Sequence, residues 1–439
     1  MKQDRMQETG FSNLPLSGLL REEGFACRCG KHHHTDVREV RIGKGVLRQL
    51  PEIVKKYGGT KPFLLSDRNT YAAAGKEAES VLKESSMDFM GFSFPREHLE
   101  PDEFSVGQAA INFDRSCDFI VGIGTGTIND ISKMLSKVTG LRYLIVGTAP
   151  SMDGFASNTS SMIVNGVKVS LDSACPVAIL ADPDVVCQAP MKMLQAGLGD
   201  MLAKYVSICE WRISHRINGE YYCEEVAALV RRSLKKCAES AGGLADRDPK
   251  AVTDVLEGLI LSGIAMGFAG ISRPASGVEH YFSHVWDMRA LEFHTGSDLH
   301  GIQVGIGTIL ALKVYERIRT IQPDRIKALE YVNRFDMKRH NAFLKEFLGS
   351  SAGSLILLEK KEGKYDREKH AKRLDIILEG WQDILDIMEE ELPPRSEAAA
   401  LLQSVGAPVD PEALGLSGEV VRKTFHATRD IRDKYNASR

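Results

Sequence analysis

One carboxylate and three histidines in the second half of the sequence have the types and spacing of a catalytic metal site. Asp200 lies in an otherwise apolar segment, His280 and His284 are four residues apart, and His300 follows them along the chain. Side chains at positions i and i+4 share one face of a helix, and a buried carboxylate needs a metal or another cation beside it. One aspartate with two histidines would leave a coordination position open for a substrate on Zn²⁺, Fe²⁺ or Ni²⁺. The spacing is not a short diagnostic motif, so each histidine could instead be an ordinary core or surface residue.

A glycine-rich segment at residues 122–130 follows a short apolar strand and precedes a helical pattern. Glycines let backbone N–H groups approach a phosphate closely, and the amino terminus of a helix adds partial positive charge. A pyrophosphate would fit there. The spacing matches neither the usual dinucleotide-binding fingerprint nor a Walker loop, so an ordinary strand-to-helix turn is the alternative.

A second polar loop, residues 147–154, follows the next apolar strand. In a parallel sheet both loops would lie at the carboxyl ends of their strands, where ligands gather. Its Ser151 and Asp153 also suit turn or capping positions. Two adjacent polar loops at one sheet edge nevertheless favour a binding site.

Several sulfur and imidazole ligands lie close together near the amino terminus, at Cys27, Cys29, His32, His33 and His34. They could form a second metal site or a loop that becomes ordered on folding. The Cys-x-Cys spacing is not that of a zinc finger, which favours the loop.

The elements that would position these residues form two patterns. Strands alternate with helices over residues 37–188, which predicts a parallel sheet covered on both faces, with residues 37–42 as an edge strand and residues 177–180 closing the sheet. Asn165-Gly166 between two apolar runs predicts a tight β-hairpin. From about residue 190 onward nearly every segment has a helical pattern. We therefore expect an irregular segment at residues 1–36, an α/β domain at residues 37–188 and an all-helical domain at residues 189–439, with the active site in the cleft between the domains.

The composition excludes several classes of protein. Of 439 residues, 43% are hydrophobic and 26% are charged, and the net charge is -3, so nothing in the overall charge favours nucleic acid or an anionic membrane. The first eight residues lack the apolar core of a secretory signal, and no run of apolar residues reaches the length of a membrane helix. The eight scattered cysteines predict reduced thiols and a cytoplasmic protein.

The order of these motifs resembles the iron-containing (group III) alcohol dehydrogenase superfamily, and within it the sn-glycerol-1-phosphate dehydrogenases. The resemblance spans about residues 27 to 320, with no comparable match in the last hundred residues or so. It is carried by residues 29–32, 66–67, 122–130, 148–154, 197–204, 272–284 and 300–301.

The resemblance implies a fold of class α/β plus all-α, in which a Rossmann-like nucleotide-binding domain precedes a helical metal-binding domain. It implies that NAD or NADP binds to the glycine-rich segment and to the second polar loop. Asp67 would lie at the adenosine end of the dinucleotide, and Ser157 would make a further contact. The residues of the first loop are Gly124, Thr125, Gly126, Thr127 and Ile128, and those of the second are Thr148, Ala149, Pro150 and Ser151. It implies one divalent metal (zinc, nickel or iron) on Asp200, His280 and His300.

The same resemblance implies a reaction. The family interconverts dihydroxyacetone phosphate and sn-glycerol 1-phosphate by hydride transfer, and its members are often dimers or larger homo-oligomers. Asp153, Asp200 and His284 would contact the substrate, with His284 and Asp200 as the catalytic residues. A metal on the ketone oxygen would stabilise the negative charge that develops there. Candidates for binding the substrate phosphate are Arg273, Lys204 and Lys133, each of which is equally plausible as a surface ion pair or as a phosphate partner of the cofactor.

Three other functions remain open from the sequence. A 3-dehydroquinate synthase-like cyclising lyase would share the architecture, although its first metal ligand is typically Glu where this chain has Asp200. A glycerol dehydrogenase would act on the unphosphorylated polyol. A nucleotide-binding protein without catalytic activity is the third alternative, and the presence of all three metal-type ligands argues against it.

Overall fold

The computed structural model describes residues 10–96 and 98–439. The first eight residues, on which the expectation of no secretory signal depends, therefore lie outside the described part of the chain. Ten strands are found in it: β1 Phe25–Ala26, β2 His32–His33, β3 Glu39–Ile42, β4 Pro62–Asp67, β5 Met90–Phe94, β6 Phe119–Gly124, β7 Tyr143–Gly147, β8 Thr159–Val164, β9 Val167–Asp172 and β10 Ala178–Ala181.

Six of these strands form one parallel sheet in the order β3-β10-β7-β6-β4-β5. The predicted parallel sheet and its edge strand β3 are thereby confirmed. The chain places β5 on one side of β4, at the edge of the sheet, and then places β6 on the other side of β4. The carboxyl ends of β4 and β6 thus form a topological switch point, the place where open α/β sheets bind ligands.

Apolar strands and the helices between them bury one core. Leu64, Val121, Leu144 and Leu180 from four neighbouring strands pack in it with helical residues such as Leu82. Strands that are buried on both faces consist of nearly continuous apolar residues, as these do. The last strand, β10, lies between β3 and β7 and does not close the edge of the sheet as expected, because strand order depends on long-range packing that the sequence pattern does not encode.

The predicted hairpin is confirmed between β8 and β9. These strands pair antiparallel with Val164 opposite Val167, and the two turn residues have positive φ, 51° at Asn165 and 75° at Gly166. Two such residues in succession are what a two-residue hairpin loop requires. A second hairpin, β1–β2, lies in the segment expected to be irregular; its two-residue strands are too short for an alternating pattern.

The helices continue to the carboxyl terminus, as the sequence predicted. Their bounds are α1 Leu16–Leu19, α2 Leu50–Lys56, α3 Arg68–Thr70, α4 Lys76–Glu84, α5 Glu103–Asn112, α6 Gly126–Thr139, α7 Pro183–Val186, α8 Met191–Leu202, α9 Lys204–Asn218, α10 Glu224–Ser240, α11 Pro249–Ala269, α12 Val278–Phe293, α13 His300–Ile318, α14 Arg325–Arg334, α15 Met337–Leu348, α16 Ala352–Glu362, α17 Arg367–Glu379, α18 Trp381–Glu391, α19 Arg395–Ser404 and α20 Gly418–Ala427.

The described chain divides into two compact units. The first contains the described residues up to Met201 together with Glu224–Ser272, and so holds the sheet, α8, α10 and α11. The second contains Leu202–Cys223 and Arg273–Arg439 and is helical throughout. The domain boundary near residue 188 stays a prediction.

Helix α11 is an exception to the expectation that no segment is long and apolar enough to cross a membrane. Within the described residues it is the one helix long and apolar enough to cross a membrane, and 78% of its most apolar window is buried inside the protein. The sequence pattern missed it because Asp254 and Glu257 interrupt the run of apolar residues, whereas the mean hydropathy of the window remains high.

Candidate functional site

The glycine-rich turn lies at the switch point of the sheet, in the first unit. Strand β6 ends at Gly124 and helix α6 begins at Gly126, so the turn presents backbone N–H groups at a helix amino terminus. A Cβ atom on Gly124 would lie 2.6 Å from Cβ of Ile128, so no larger residue fits there. The side chain of Ile128 is buried, so only its backbone could contact a ligand bound at the turn.

Hydrogen bonds join this turn to the second loop. The hydroxyl groups of Thr125 and Ser151 are 2.7 Å apart, and the Thr125 hydroxyl also lies 3.1 Å from the carbonyl oxygen of Ala149. The Thr148 N–H donates to the Gly124 carbonyl oxygen over 3.1 Å. The structure therefore brings together the two loops that the sequence predicts to bind a dinucleotide.

Asp67 lies at the end of β4, the strand beside β6. Its carboxylate accepts a hydrogen bond from the Thr70 N–H over 2.8 Å, and the Thr70 hydroxyl in turn accepts one from the Asp67 N–H over 3.0 Å. This reciprocal capping fixes the start of the next helix. The carboxylate is thus held at the same switch point as the glycine-rich turn.

Lys133, on α6, is fully buried beneath the second loop. Its ammonium donates to the carbonyl oxygens of Gly154 and Thr159, over 2.7 and 2.9 Å, and to the Ser157 hydroxyl over 2.9 Å. Burial lowers the pKa of Lys133, and the nearby Asp130 carboxylate opposes that shift. These contacts favour a role in holding the loop over a role in binding a phosphate.

Replacement of Lys133 by Met should therefore loosen residues 154–159. Since hydrogen bonds from a charged group contribute about 1.5–3 kcal/mol, we expect the free energy of unfolding to fall by about 2 kcal/mol and KM for the dinucleotide to rise. Urea denaturation and dinucleotide titration measure the two effects. Lys137→Met, one turn along the same helix at an exposed position, is the control, and equal losses in both variants would contradict this role for Lys133.

Asp153 and Asp200 are connected within the first unit. The Asp153 N–H donates to a carboxylate oxygen of Asp200 over 2.9 Å, and the Asp153 carboxylate accepts a hydrogen bond from Ser262 on α11 over 2.9 Å. Asp200 is fully buried in the last turn of α8. A Cβ atom on Gly197 would lie 1.9 Å from the Pro150 carbonyl oxygen, so this glycine permits the close approach of α8 to the loop.

In the second unit three imidazole rings lie together. His280 and His284 are on α12, and His300 is the first residue of α13. The ring centroids of His280 and His300 are 5.2 Å apart, those of His284 and His300 are 6.0 Å apart, and those of His280 and His284 are 6.5 Å apart. The i, i+4 spacing thus does place both histidines of α12 beside His300.

Neighbouring side chains contact the Nδ1 atoms of two of the three rings. The Nδ1 atom of His280 lies 2.9 Å from the carboxylate of Glu279, and that of His300 lies 3.1 Å from the Ser283 hydroxyl. Because a carboxylate only accepts, His280 donates through Nδ1 and keeps a lone pair on Nε2. A metal-binding histidine is typically oriented in this way.

The two remaining phosphate candidates also lie inside the second unit. Arg273 is buried and donates twice to the Glu220 carboxylate, over 2.7 and 2.6 Å. Lys204 is fully buried and donates to the Ala275 carbonyl oxygen over 3.3 Å. For Arg273 these contacts favour the ion pair over a phosphate partner.

Comparison with known proteins gives the family. The family model for iron-containing alcohol dehydrogenases matches residues 41–190. A protein of Halalkalibacterium halodurans named glycerol-1-phosphate dehydrogenase (NAD(P)+) is 30% identical over 93% of this chain and 93% of its own length. The chain belongs to the glycerol-1-phosphate dehydrogenase family. The family predicted from the sequence motifs is thereby confirmed.

A second relative in the glycerol-1-phosphate dehydrogenase family, from Pyrococcus furiosus, is 36% identical over 62% of this chain and 77% of its own length. The alignment with the Halalkalibacterium relative covers 412 residues and so extends past residue 320, further than the motifs indicated. The motifs ended earlier because they consist of candidate site residues, and none of these lies beyond His300.

Solved structures share the fold. Glycerol dehydrogenase from Schizosaccharomyces pombe superposes with a TM-score of 0.59 at 16% identity and covers 92% of this chain and 86% of its own. NADH-dependent butanol dehydrogenase A from Thermotoga maritima gives 0.54 at 15% identity, covering 93% and 91%. The predicted α/β plus all-α architecture of this dehydrogenase family is thereby confirmed.

Sequence reasoning missed the residues that orient the site of this glycerol-1-phosphate dehydrogenase family member. Glu279 and Ser283 hold two of the histidines, Ser262 holds Asp153, and Lys133 holds the second loop. Glu279 and Ser283 carried a usable signal, because each is adjacent to a candidate histidine. The sequence offers Lys133 only as a phosphate candidate, and Ser262 lies more than a hundred residues from Asp153 in the sequence.

Proposed function

We propose that this enzyme interconverts dihydroxyacetone phosphate and sn-glycerol 1-phosphate, with NAD(H) or NADP(H) and one divalent metal. The similarity over 93% of both chains to a relative named glycerol-1-phosphate dehydrogenase (NAD(P)+) carries this proposal. It favours the phosphorylated substrate over glycerol and over the cyclising reaction.

The dinucleotide would lie at the switch point of the sheet. The N–H groups of Gly126, Thr127 and Ile128, at the start of α6, are suited to the pyrophosphate. Asp67 would hold the adenosine end, while residues 148–151 would cover the other side of the glycine-rich turn. Ser157 is hydrogen-bonded to Lys133, so its contribution to the cofactor site would include keeping that loop in place.

His280, His300 and Asp200 would hold the metal. The donor set fits: one carboxylate and two imidazoles leave a position open for a substrate oxygen, as in catalytic zinc sites. The Nδ1 atoms of both histidines already have partners, which directs Nε2 toward a ligand. Asp200 is fully buried, and a buried carboxylate requires a compensating positive charge.

When bound, the metal would polarise the ketone oxygen and the dinucleotide would exchange the hydride. The protein residues would position the substrate and move the proton. Asp153, held by Ser262 and by its own N–H bond to Asp200, would fix a substrate hydroxyl. His284, the third ring beside His300, would pass a proton to and from the substrate oxygen.

Glu279→Gln should weaken metal binding without removing a ligand. The amide can present its NH₂ group to His280 as well as its oxygen, so the ring would lose the partner that fixes its tautomer. We expect the dissociation constant of the metal to rise about 10–100-fold. Chelator competition measures it, and Glu292→Gln, at the opposite end of α12, is the control; an unchanged constant in Glu279→Gln would contradict the orienting role.

A spectrophotometric assay tests the reaction itself. Stoichiometric oxidation of NADH or NADPH with dihydroxyacetone phosphate is expected. Oxidation with dihydroxyacetone alone would instead identify a glycerol dehydrogenase. A cyclised product from a sugar phosphate with no net oxidation would identify the lyase, and either result would overturn the proposal.

We further propose that the enzyme acts in the cytoplasm as a homo-oligomer. No disulfide joins any of the eight cysteines, all of which lie in the described residues, and this is typical of a reducing compartment. On α5 the large apolar side chains of Phe104 and Ile111 are exposed, which suits a surface covered by a second copy. Sedimentation of the purified protein at a single-chain mass would exclude the oligomer.

A further inference from the structure

The hairpin β1–β2 near the amino terminus presents three metal ligands that the proposed reaction does not use. Its turn is closed by a hydrogen bond from the Cys27 N–H to the Lys31 carbonyl oxygen over 3.1 Å and by one from the Gly30 N–H to the Cys27 carbonyl oxygen over 3.0 Å. Gly30 has a φ of 85°, which favours glycine at that position. The turn carries Cys27 and Cys29, and the returning strand carries His33.

The imidazole of His33 is already oriented as a metal ligand. Its Nδ1 atom lies 2.7 Å from the Phe268 carbonyl oxygen, so it donates there and keeps the lone pair on Nε2. Nε2 in turn lies 3.3 Å from Sγ of Cys29. Two ligands of a tetrahedral zinc ion, with bonds of about 2.3 Å to sulfur and about 2.0 Å to nitrogen, are separated by a similar distance.

The ligand atoms of the hairpin lie close together. Sγ of Cys27, Sγ of Cys29 and a ring nitrogen of His33 all lie within 4.8 Å of one another. The Ser12 N–H donates to the Glu225 carboxylate over 3.1 Å, which fastens the amino-terminal segment to the start of α10.

We propose that Cys27, Cys29 and His33 bind a zinc ion. Two thiolates and one imidazole are ligands that Zn²⁺ prefers in tetrahedral sites. Cysteines grouped in this way in a chain without disulfides are typical of a metal site. The site is separate from the aspartate–histidine set proposed for catalysis, because the two share no residue.

The surroundings of the site indicate its purpose. Rings of Phe11, Phe25 and Phe268 pack around His33, with centroid separations of 5.1 to 5.9 Å among the four. Lys31 donates to the Ala269 carbonyl oxygen over 3.1 Å at the end of α11. Zinc would therefore hold the turn of the amino-terminal hairpin against the end of α11, in a part of the first unit that the parallel sheet does not hold.

Cobalt substitution and elemental analysis of the full-length protein test this proposal. Thiolate ligands give bound Co²⁺ an intense near-ultraviolet charge-transfer band, whereas the carboxylate and imidazole ligands of the other site give none. We expect the wild-type protein to show this band and to contain a second divalent ion. Cys27→Ser and Cys29→Ser should each lose the band, one metal ion per chain and thermal stability.

Matched variants separate loss of the site from general damage. Cys117→Ser replaces a buried cysteine elsewhere in the first unit, and His34→Ala replaces an exposed histidine next to His33. Both should keep the band and the metal, whereas His33→Ala should shift or lose the band. A wild-type protein without the band would overturn the proposal, as would a disulfide between Cys27 and Cys29 or a Cys29→Ser variant with full metal content.

Discussion

His280→Ala should lose most of the catalytic metal and lower kcat/KM by about 10³-fold, since metal polarisation of an oxygen contributes several kcal/mol to transition-state stabilisation. The ring is held by Glu279 and lies beside His300, so its loss removes one proposed ligand of the metal. Elemental analysis and the rate of NADH oxidation with dihydroxyacetone phosphate measure the two losses.

His284→Ala, on the same face of the same helix, is the informative comparison. His284 is proposed to handle the proton and not the metal, so this variant should keep its metal and lose kcat. His98→Ala, at an exposed position in the first unit, should change neither quantity. If His280→Ala retained both metal and activity, the ligand assignment would be wrong. If His284→Ala lost the metal, the division of roles between the two rings would be wrong.

Much of the fold could be predicted because local patterns determine it. The apolar runs that became β4 and β6, each followed by a helical pattern, and the next apolar run, which became β7, predicted the parallel sheet. Asn165-Gly166 predicted its hairpin because only residues that tolerate positive φ suit that turn. The order of the strands could not be derived, since the position of β10 beside β3 depends on contacts across more than a hundred residues of chain.

The candidate site was predictable to the extent that its residues belong to short patterns. The i, i+4 pair His280 and His284 and the two glycine-containing loops were visible in the sequence. The partner residues were not, because a hydrogen bond such as that from Lys133 to Ser157 joins positions with no shared motif.

Asp200→Asn should also reduce metal content and lower kcat/KM by about 10²–10³-fold, while leaving the loop in place. The asparagine side chain keeps an oxygen that can accept the Asp153 N–H, so the geometry of residues 148–154 should survive. The variant therefore removes the negative charge that stabilises a bound cation, with little other change. Metal titration, followed by assay at saturating metal, separates weakened binding from impaired turnover.

Asp254→Asn is the matched control, because Asp254 is also a buried aspartate of the first unit, paired with Lys236 and Lys250. It should lose stability but keep metal and turnover. Residues that act as a unit have non-additive effects, so Asp200→Asn combined with His280→Ala should be hardly worse than His280→Ala alone. If the losses in kcat/KM of the two single variants multiplied fully in the double variant, Asp200 and His280 would act on different ligands. Unchanged turnover in Asp200→Asn would remove Asp200 from the set of metal ligands.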